Sequence, residues 1–203
     1  MLIELLGPMG VGKSSVAPLL AASLAIPHYV GLGATTASGH RLSRAGMAID
    51  AIWSAGQQPG LTLEAWRTHS ASAKRRLTFA TAIARRSRFA SSVRRSGGGV
   101  LDGGPMHALF QESSKTGRDY TTLARRVTLA HLYIYLVATE DAIAERLVGR
   151  DFVSVDEAVE RARRYLAVSE TLPGPVVAID TTGSTPEQVA DRAARQVWEG
   201  MAA

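Results

Sequence analysis

The sequence predicts an α/β fold, a parallel sheet with helices on both faces, and three observations carry that prediction. Five apolar runs of strand length are separated by segments of helical periodicity, the pattern that packs a parallel sheet between two helical layers. The first run leads into Gly7-Pro8-Met9-Gly10-Val11-Gly12-Lys13-Ser14, which fits G-x-x-x-x-G-K-[ST], a loop that joins a strand to a helix. With 203 residues the chain suits one such domain with a full core and is short for two, so a single domain over 1–203 is expected.

Taken in order, Leu2, Ile3, Leu5 and Leu6 make the first strand. The glycines after it let successive backbone N–H groups turn inward as a nest around a polyphosphate, and the helix that follows adds its unpaired N–H groups and positive dipole end. Lys13 supplies a charge for the β- and γ-phosphates and Ser14 a hydroxyl for Mg²⁺. Val16, Leu19, Leu20 and Leu24 recur at helical spacing behind the loop; Pro18 among them removes one backbone bond, at a cost of ~3 kcal/mol, and predicts a kink.

Ile26 to Gly31 is the second strand, opening into the hydroxyl-rich loop Gly31 to Gly39. Arg41 and Arg44 follow at a helix start, where either reaches an anionic acceptor or simply faces solvent. Gln57 to Gly60 reads as a turn and Thr62 to Arg95 as one long, largely helical stretch, with Ala71, Leu77, Phe79, Ala80, Ile83 and Ala84 on its buried face. Of its cations, Lys74, Arg75, Arg76, Arg85, Arg86 and Arg88, one or two should point into a cleft if the acceptor carries phosphate.

Gly97 to Pro105 is a glycine turn, a short strand ending in Asp102, and a second Gly-Gly-Pro turn. A strand-terminal carboxylate beside a phosphate nest holds Mg²⁺ through water or serves as base on an acceptor hydroxyl; the plainer reading is a turn aspartate. His107 and Gln111 fall within reach of the same cleft, and His107 reads as a packed or exposed histidine. Ser113 to Tyr120 is a polar loop carrying Arg118, and Leu129 to Val137 is the most strand-like run of the chain. Thr139 caps a helix on which Arg146 and Arg150 share a face, and Ser154 opens another with Val159, Ala162, Leu166 and Tyr165 inward. The arginine-flanked connection between them, about 146–156, is a flap that would exclude water from a polyphosphate, or else carries a surface arginine pair. Val176 to Ile179 is a last buried strand, and Thr185-Pro186-Glu187-Gln188 is a capping box opening a helix with Val189, Ala193, Val197 and Met201 inward.

Composition sets limits. Without cysteine there is no disulfide, zinc-thiolate site or thiol catalysis, and a cytoplasmic location is expected. The apolar run Leu129 to Ala138 is too short to span a bilayer, so no membrane association is expected. A net charge of +5, carried mostly by arginine, suits anionic ligands, since the guanidinium fork grips phosphate in two places. Nucleic acid is the less favoured partner because the arginines are dispersed and no basic run is interleaved with aromatics.

In layout the chain resembles the small P-loop kinases, the group that includes thymidylate, adenylate and deoxynucleoside kinases. Gly7 to Ser15 carries the resemblance most specifically; Val100-Leu101-Asp102-Gly103-Gly104-Pro105 looks like the Asp-Gly-x-Pro segment of adenylate kinases, and Leu77 to Arg86 followed by Val100 to Asp102 like the thymidylate kinase layout. Met106 stands where adenylate kinases have an acceptor-binding arginine, and Asp102 is followed by Gly-Gly where thymidylate kinases have Arg-Tyr. No Asn-Lys-x-Asp sequence is present, which argues against a GTPase.

The resemblance implies a three-layer P-loop kinase fold with a five-stranded parallel sheet, an acceptor-binding helical region at about 35–98 and an arginine-bearing flap. It implies ATP held by Gly7, Met9, Gly10, Val11, Gly12, Lys13, Ser14, Ser15 and, in the last loop, Thr182, with Mg²⁺ at Ser14 and Asp102. Lys13, Asp102, Arg146 and Arg150 would serve catalysis, and Arg41, Arg85, Gln111 and Arg118 the acceptor. The expected activity is transfer of the γ-phosphoryl group to a small nucleotide or nucleoside-like acceptor. Alternatives are a kinase of another small-molecule hydroxyl or of a modified base in DNA and, from another class, an NTP-binding regulatory module. A homodimer is compatible with all of them.

Overall fold

The computed structural model describes residues 1–30, 44–69, 72–127, 130–148, 154–169 and 175–202. Among them β1 (Leu2–Leu6), β2 (His28–Val30), β3 (Gly99–Asp102), β4 (Leu132–Val137) and β5 (Val176–Asp180) form one parallel sheet in the order β2-β3-β1-β4-β5. The helices are α1 (Lys13–Ser23), α2 (Arg44–Gln57), α3 (Pro59–Thr68), α4 (Ala73–Arg95), α5 (Pro105–Thr116), α6 (Thr121–Arg126), α7 (Glu140–Leu147), α8 (Val155–Ser169) and α9 (Pro186–Ala202).

Strand periodicity distributes the core between two layers. Ile3 and Leu5 of β1, with Val100, Ile134 and Leu136, pack against Val16 and Leu20 of α1 and Val189, Ala193 and Val197 of α9. Leu6, Tyr133 and Tyr135 face the opposite way, onto Phe79 and Ile83 of α4, Leu109 and Phe110 of α5 and Tyr165 of α8. Leu2 and Leu101 make a smaller cluster on that second side with Ala90 and Val93 of α4. Between the clusters of Leu2 and Leu6, alternation places Glu4, a carboxylic acid in the central strand that is only 1% exposed.

Helix starts follow local chemistry. Thr139 Oγ1 accepts from Ala142 N–H at 3.4 Å at the start of α7, and Ser154 Oγ from Glu157 N–H at 3.2 Å before α8. Before α9 the capping box is reciprocal: Gln188 Oε1 accepts from Thr185 N–H at 3.0 Å while Gln188 N–H donates to Thr185 Oγ1 at 3.4 Å. α1 continues through Pro18, which lies on its exposed face.

Three expectations need correction. The helical stretch expected from Thr62 starts earlier, at Pro59, and is broken in two, because α3 ends at Thr68 and α4 begins at Ala73. Leu77 lies on the solvent side of α4 at 56% exposure: Phe79, Ala80, Ile83 and Ala84 define the buried stripe, and Leu77 falls off it. The last strand is not buried. β5 pairs with β4 alone at the sheet edge, so of its residues Ile179 is buried while Val176, Ala178 and Asp180 are exposed.

Candidate active site

Register brings the two informative loops together. Leu5 pairs with Asp102 across β1 and β3, so the loop of residues 7–12 and the Gly103-Gly104 turn leave adjacent strands side by side at the carboxyl end of the sheet. That is the crevice where open parallel sheets place their ligands. A cleft of about 510 Å³ opens there, lined by Met9 to Val16 of the loop and α1, by Asp102, His107 and Gln111 on one side, and by Arg146, Thr181, Ser184, Pro186 and Val189 on the other.

The loop is shaped by glycine. Gly7 has φ 142°, and a Cβ there would stand 2.6 Å from the Leu136 carbonyl oxygen, so only glycine lets the loop turn so close to β4. Gly7 therefore serves from behind the cleft, whereas Met9, Gly10, Val11, Gly12, Lys13, Ser14 and Ser15 line it. Lys13 Nζ donates to the carbonyls of Gly7 at 2.8 Å and Pro8 at 2.7 Å, folded over the nest. Burial lowers its pKa to about 8, partly opposed by the charge of Asp102.

Glu4 builds the opposite wall. Its Oε1 accepts from His107 N–H at 2.8 Å, and the Met106 N–H also bonds the carboxylate, so a side chain of β1 caps the first turn of α5 in place of Gly104, which has no side chain to offer. A Cβ on Gly104 would lie 2.6 Å from Glu4 Cδ, which explains the glycine at that position. Arg86 Nη1 completes the corner, donating to the Gly103 carbonyl at 2.7 Å and the Gly104 carbonyl at 3.3 Å. Burial raises the Glu4 pKa to about 7, against the backbone bond from His107 and the charge of Arg86. Neither residue is singled out by sequence: Glu4 lies among the apolar residues that mark the first strand, and Arg86 is one of several arginines.

His107 is buried, 6% exposed, as the packed reading expects, and it lines the cleft. Its Nδ1 lies 2.9 Å from Tyr165 Oη, which also accepts from Gly7 N–H at 3.1 Å. Burial, with the nearby charges of Lys13, Arg86 and Lys115, holds the imidazole pKa well below its usual value. Tyr165 is fixed in turn by stacking on Tyr135, with rings 5.8 Å apart and 7° from parallel.

On the far side Arg146 donates to Thr181 Oγ1 at 2.9 Å, to the Thr181 carbonyl at 2.7 Å and to the Gly10 carbonyl at 3.4 Å, tying the last loop to the glycine-rich loop. Thr182, expected to contact ATP, points elsewhere: its Oγ1 accepts from Thr139 N–H at 3.0 Å, and Thr181 lines the cleft instead. The Asp180 carboxylate accepts from Thr182 N–H at 2.8 Å, and this turn rotates Thr182 toward α7.

A second cleft of about 510 Å³ lies between α4 and α5, lined by Lys74, Arg75, Arg86 and Lys115 among others; Gln111 lines both clefts. Glu112, which also lines it, is engaged with His69 at 3.0 Å. Arg85, the arginine expected to bind acceptor, lines neither cleft, because one residue along a helix turns a side chain by about 100°. Arg118 is also misplaced by that expectation. It follows the C-terminal end of α5, donates to the Thr68 carbonyl at 3.3 Å and lines neither cleft. Arg41 and Arg150 lie outside the described residues, as do residues 149–153 of the connection expected to form the flap.

For Mg²⁺ the donor set is apt. The Ser14 hydroxyl and the Asp102 carboxylate both line the cleft. That combination fits an ion held by one or two protein oxygens, water and phosphate rather than by an all-protein cage.

No protein-family model matches the chain, and no curated protein matches it by sequence. Solved structures do. Deoxyadenosine kinase from M. mycoides with bound dATP superposes with a TM-score of 0.57 at 10% identity, covering 97% of this chain and 99% of that one. The same enzyme with bound dCTP gives 0.53 at 9% identity, over 98% and 100% of the two chains. An uncharacterized protein from Eubacterium ventriosum gives 0.53 at 12% identity, over 98% of each. The chain therefore has the five-stranded, three-layer fold found in small P-loop kinases.

Proposed function

We propose that the protein is an ATP-dependent phosphotransferase that moves the γ-phosphoryl group to a small acceptor carrying an anionic group, a nucleoside monophosphate being the acceptor class that fits best. The observation that carries this reading is the meeting of two clefts at Gln111, one built on the phosphate-binding loop and the other lined by Lys74, Arg75, Arg86 and Lys115. A neutral acceptor would have little use for four cations, whereas a phosphate-bearing one is held by them in two places at once.

The roles follow from position. The backbone N–H groups of residues 9–15 cradle the polyphosphate, and Lys13 exchanges its two carbonyl partners for phosphate oxygens. Ser14 and, through water, Asp102 would hold Mg²⁺, which would neutralise charge on the polyphosphate. Arg146 and Thr181 steady the base side of the donor, and Gln111 sits where donor and acceptor face each other. Arg150 is assigned to the flap from the sequence pattern alone.

The test is transfer of label from γ-³²P-ATP with Mg²⁺ to a panel of nucleosides, nucleoside monophosphates, small alcohols and duplex DNA. Label on a nucleoside monophosphate is the expected result. Label only on a hydroxyl would make Asp102 the general base, label on DNA would assign the basic surface, and tight ATP binding without any labelled product would replace the reading with a regulatory module.

A further inference from the structure

The Gly7–Tyr165–His107 chain of hydrogen bonds has a direction. Gly7 N–H donates to Tyr165 Oη, so the phenol's own proton is free for another acceptor, and His107 Nδ1 at 2.9 Å is the partner in place. Tyr165 is fully buried, and burial pushes its hydroxyl pKa well above the usual value, so the phenol keeps that proton. A ring nitrogen that accepts must be unprotonated, and in a neutral imidazole the proton then sits on the other nitrogen. With Nδ1 engaged, Nε2–H is the group His107 presents to the cleft it lines together with Lys13 and Asp102. Gln111 follows four residues later on α5, one turn along, and lines both clefts, which places His107 between the phosphate-binding loop and the junction.

We infer that His107 is a substrate-contacting residue of this site, whose Nε2–H donates a hydrogen bond to a phosphoryl oxygen at the end of the donor polyphosphate nearest the acceptor, in the tautomer set by Tyr165. The assignment rests on the phosphotransferase reading. A neutral donor suits the position. Lys13 on α1, Arg86 on α4 and Lys115 on α5 already supply positive charge around the ring, and an imidazolium would repel them, whereas an N–H dipole adds stabilisation without that repulsion. Tyr165 acts through His107 and is a positioning residue. Because it also holds Gly7, the loop that binds phosphate and the ring that meets it are set by one hydroxyl.

Nitrogen NMR of the full-length chain labelled with ¹⁵N-histidine tests this, with His107→Gln assigning the signal and Mg²⁺·AMP-PNP as the probe. The expected result is a neutral His107 with the proton on Nε2 from pH 6 to 8, whose Nε2–H signal shifts when AMP-PNP saturates the protein. Tyr165→Phe, which keeps the ring stack, should release the tautomer into a mixture. A proton on Nδ1, an imidazolium at pH 7, or an Nε2 signal unmoved by bound AMP-PNP overturns the role while leaving the phosphotransferase reading intact. Failure of AMP-PNP to bind in calorimetry overturns that reading, and the role of His107 with it. In the transfer assay, His107→Leu should lower kcat about a hundredfold with the KM for ATP unchanged, whereas His107→Gln, which still offers an N–H, should retain most of it. Equal losses in the two variants would leave His107 a packing role only.

Discussion

The two clefts are assembled in opposite ways. The phosphate side is a run of consecutive residues, 9–16, whose shape is set by its own glycines and by the start of α1. The cationic side gathers Lys74, Arg75 and Arg86 from α4 and Gln111 and Lys115 from α5, and its corner is fixed by Glu4 from the centre of the sheet. The glycine-rich loop is thus written largely in neighbouring residues, with Tyr165 and Arg146 holding it in place, while the cationic cleft exists only in the assembled fold. Substitutions should separate them: changes on the first side strike chemistry, and changes on the second strike acceptor affinity or stability.

The largest effect is expected at Lys13. Lys13→Ala should reduce γ-phosphoryl transfer at least about a thousandfold, with a thermal midpoint near that of the parent, since the ammonium's partners are loop carbonyls that water can serve. Loss of fold together with activity would show that the lysine is structural. Next is the double variant Lys74→Ala/Arg75→Ala, both exposed at the mouth of the cationic cleft. It should raise the KM for a phosphate-bearing acceptor by about ten- to a hundredfold and leave the KM for ATP within about twofold. Equal changes in both constants would erase the division between the sides.

Lys13 also predicts how donor binding depends on pH. With its pKa lowered to about 8, the site takes up protons when polyphosphate raises that value again, so ATP affinity should fall as pH rises above 8, by up to about tenfold per unit. Calorimetry in two buffers of different ionisation enthalpy should register the uptake.

Glu4 governs stability. Its pKa is raised from 4.5 to about 7, so between those values the folded protein keeps a proton that the unfolded chain has released, and stability falls as pH rises through the window. His107 contributes the opposite slope, because a histidine held neutral in the fold costs stability as pH drops below its ordinary value of 6.5. Glu4→Gln removes the first slope and leaves the second. Urea unfolding from pH 5 to 7.5 should therefore show the variant gaining stability with pH relative to the parent, by on the order of 3 kcal/mol across the window. Parallel curves would remove Glu4 from the titration. The smallest effect is expected for Arg118→Ala, which lies past the far end of α5 and should change transfer by less than about twofold.

The same division decided what the sequence made legible. The five strands, the parallel sheet and the phosphate-binding loop were readable because each is written in neighbouring residues, and Asp102 because it ends a strand beside that loop. Arg86 lines the cleft where Arg85 was expected, because periodicity in α4 is imperfect and one position moves a side chain to another face. Thr181 lines the cleft where Thr182 was expected, at a turn whose register is set by Asp180. Glu4 could not be read at all: what places it in the cleft wall is a helix that begins 101 residues later, and an acid in an apolar strand signals a buried partner without naming it.

That last pairing also constrains how the molecule comes into being. The backbone groups that Glu4 satisfies at the start of α5 are 103 residues away along the chain, so no short-range folding event can cap that helix. Its first turn becomes fully bonded only when β1 takes its place between β3 and β4, which is also when the phosphate-binding loop is anchored at its strand end. A chain that has formed α4 and α5 but not inserted β1 has neither half of the site, and so the two binding surfaces, so different in construction, are completed in a single step.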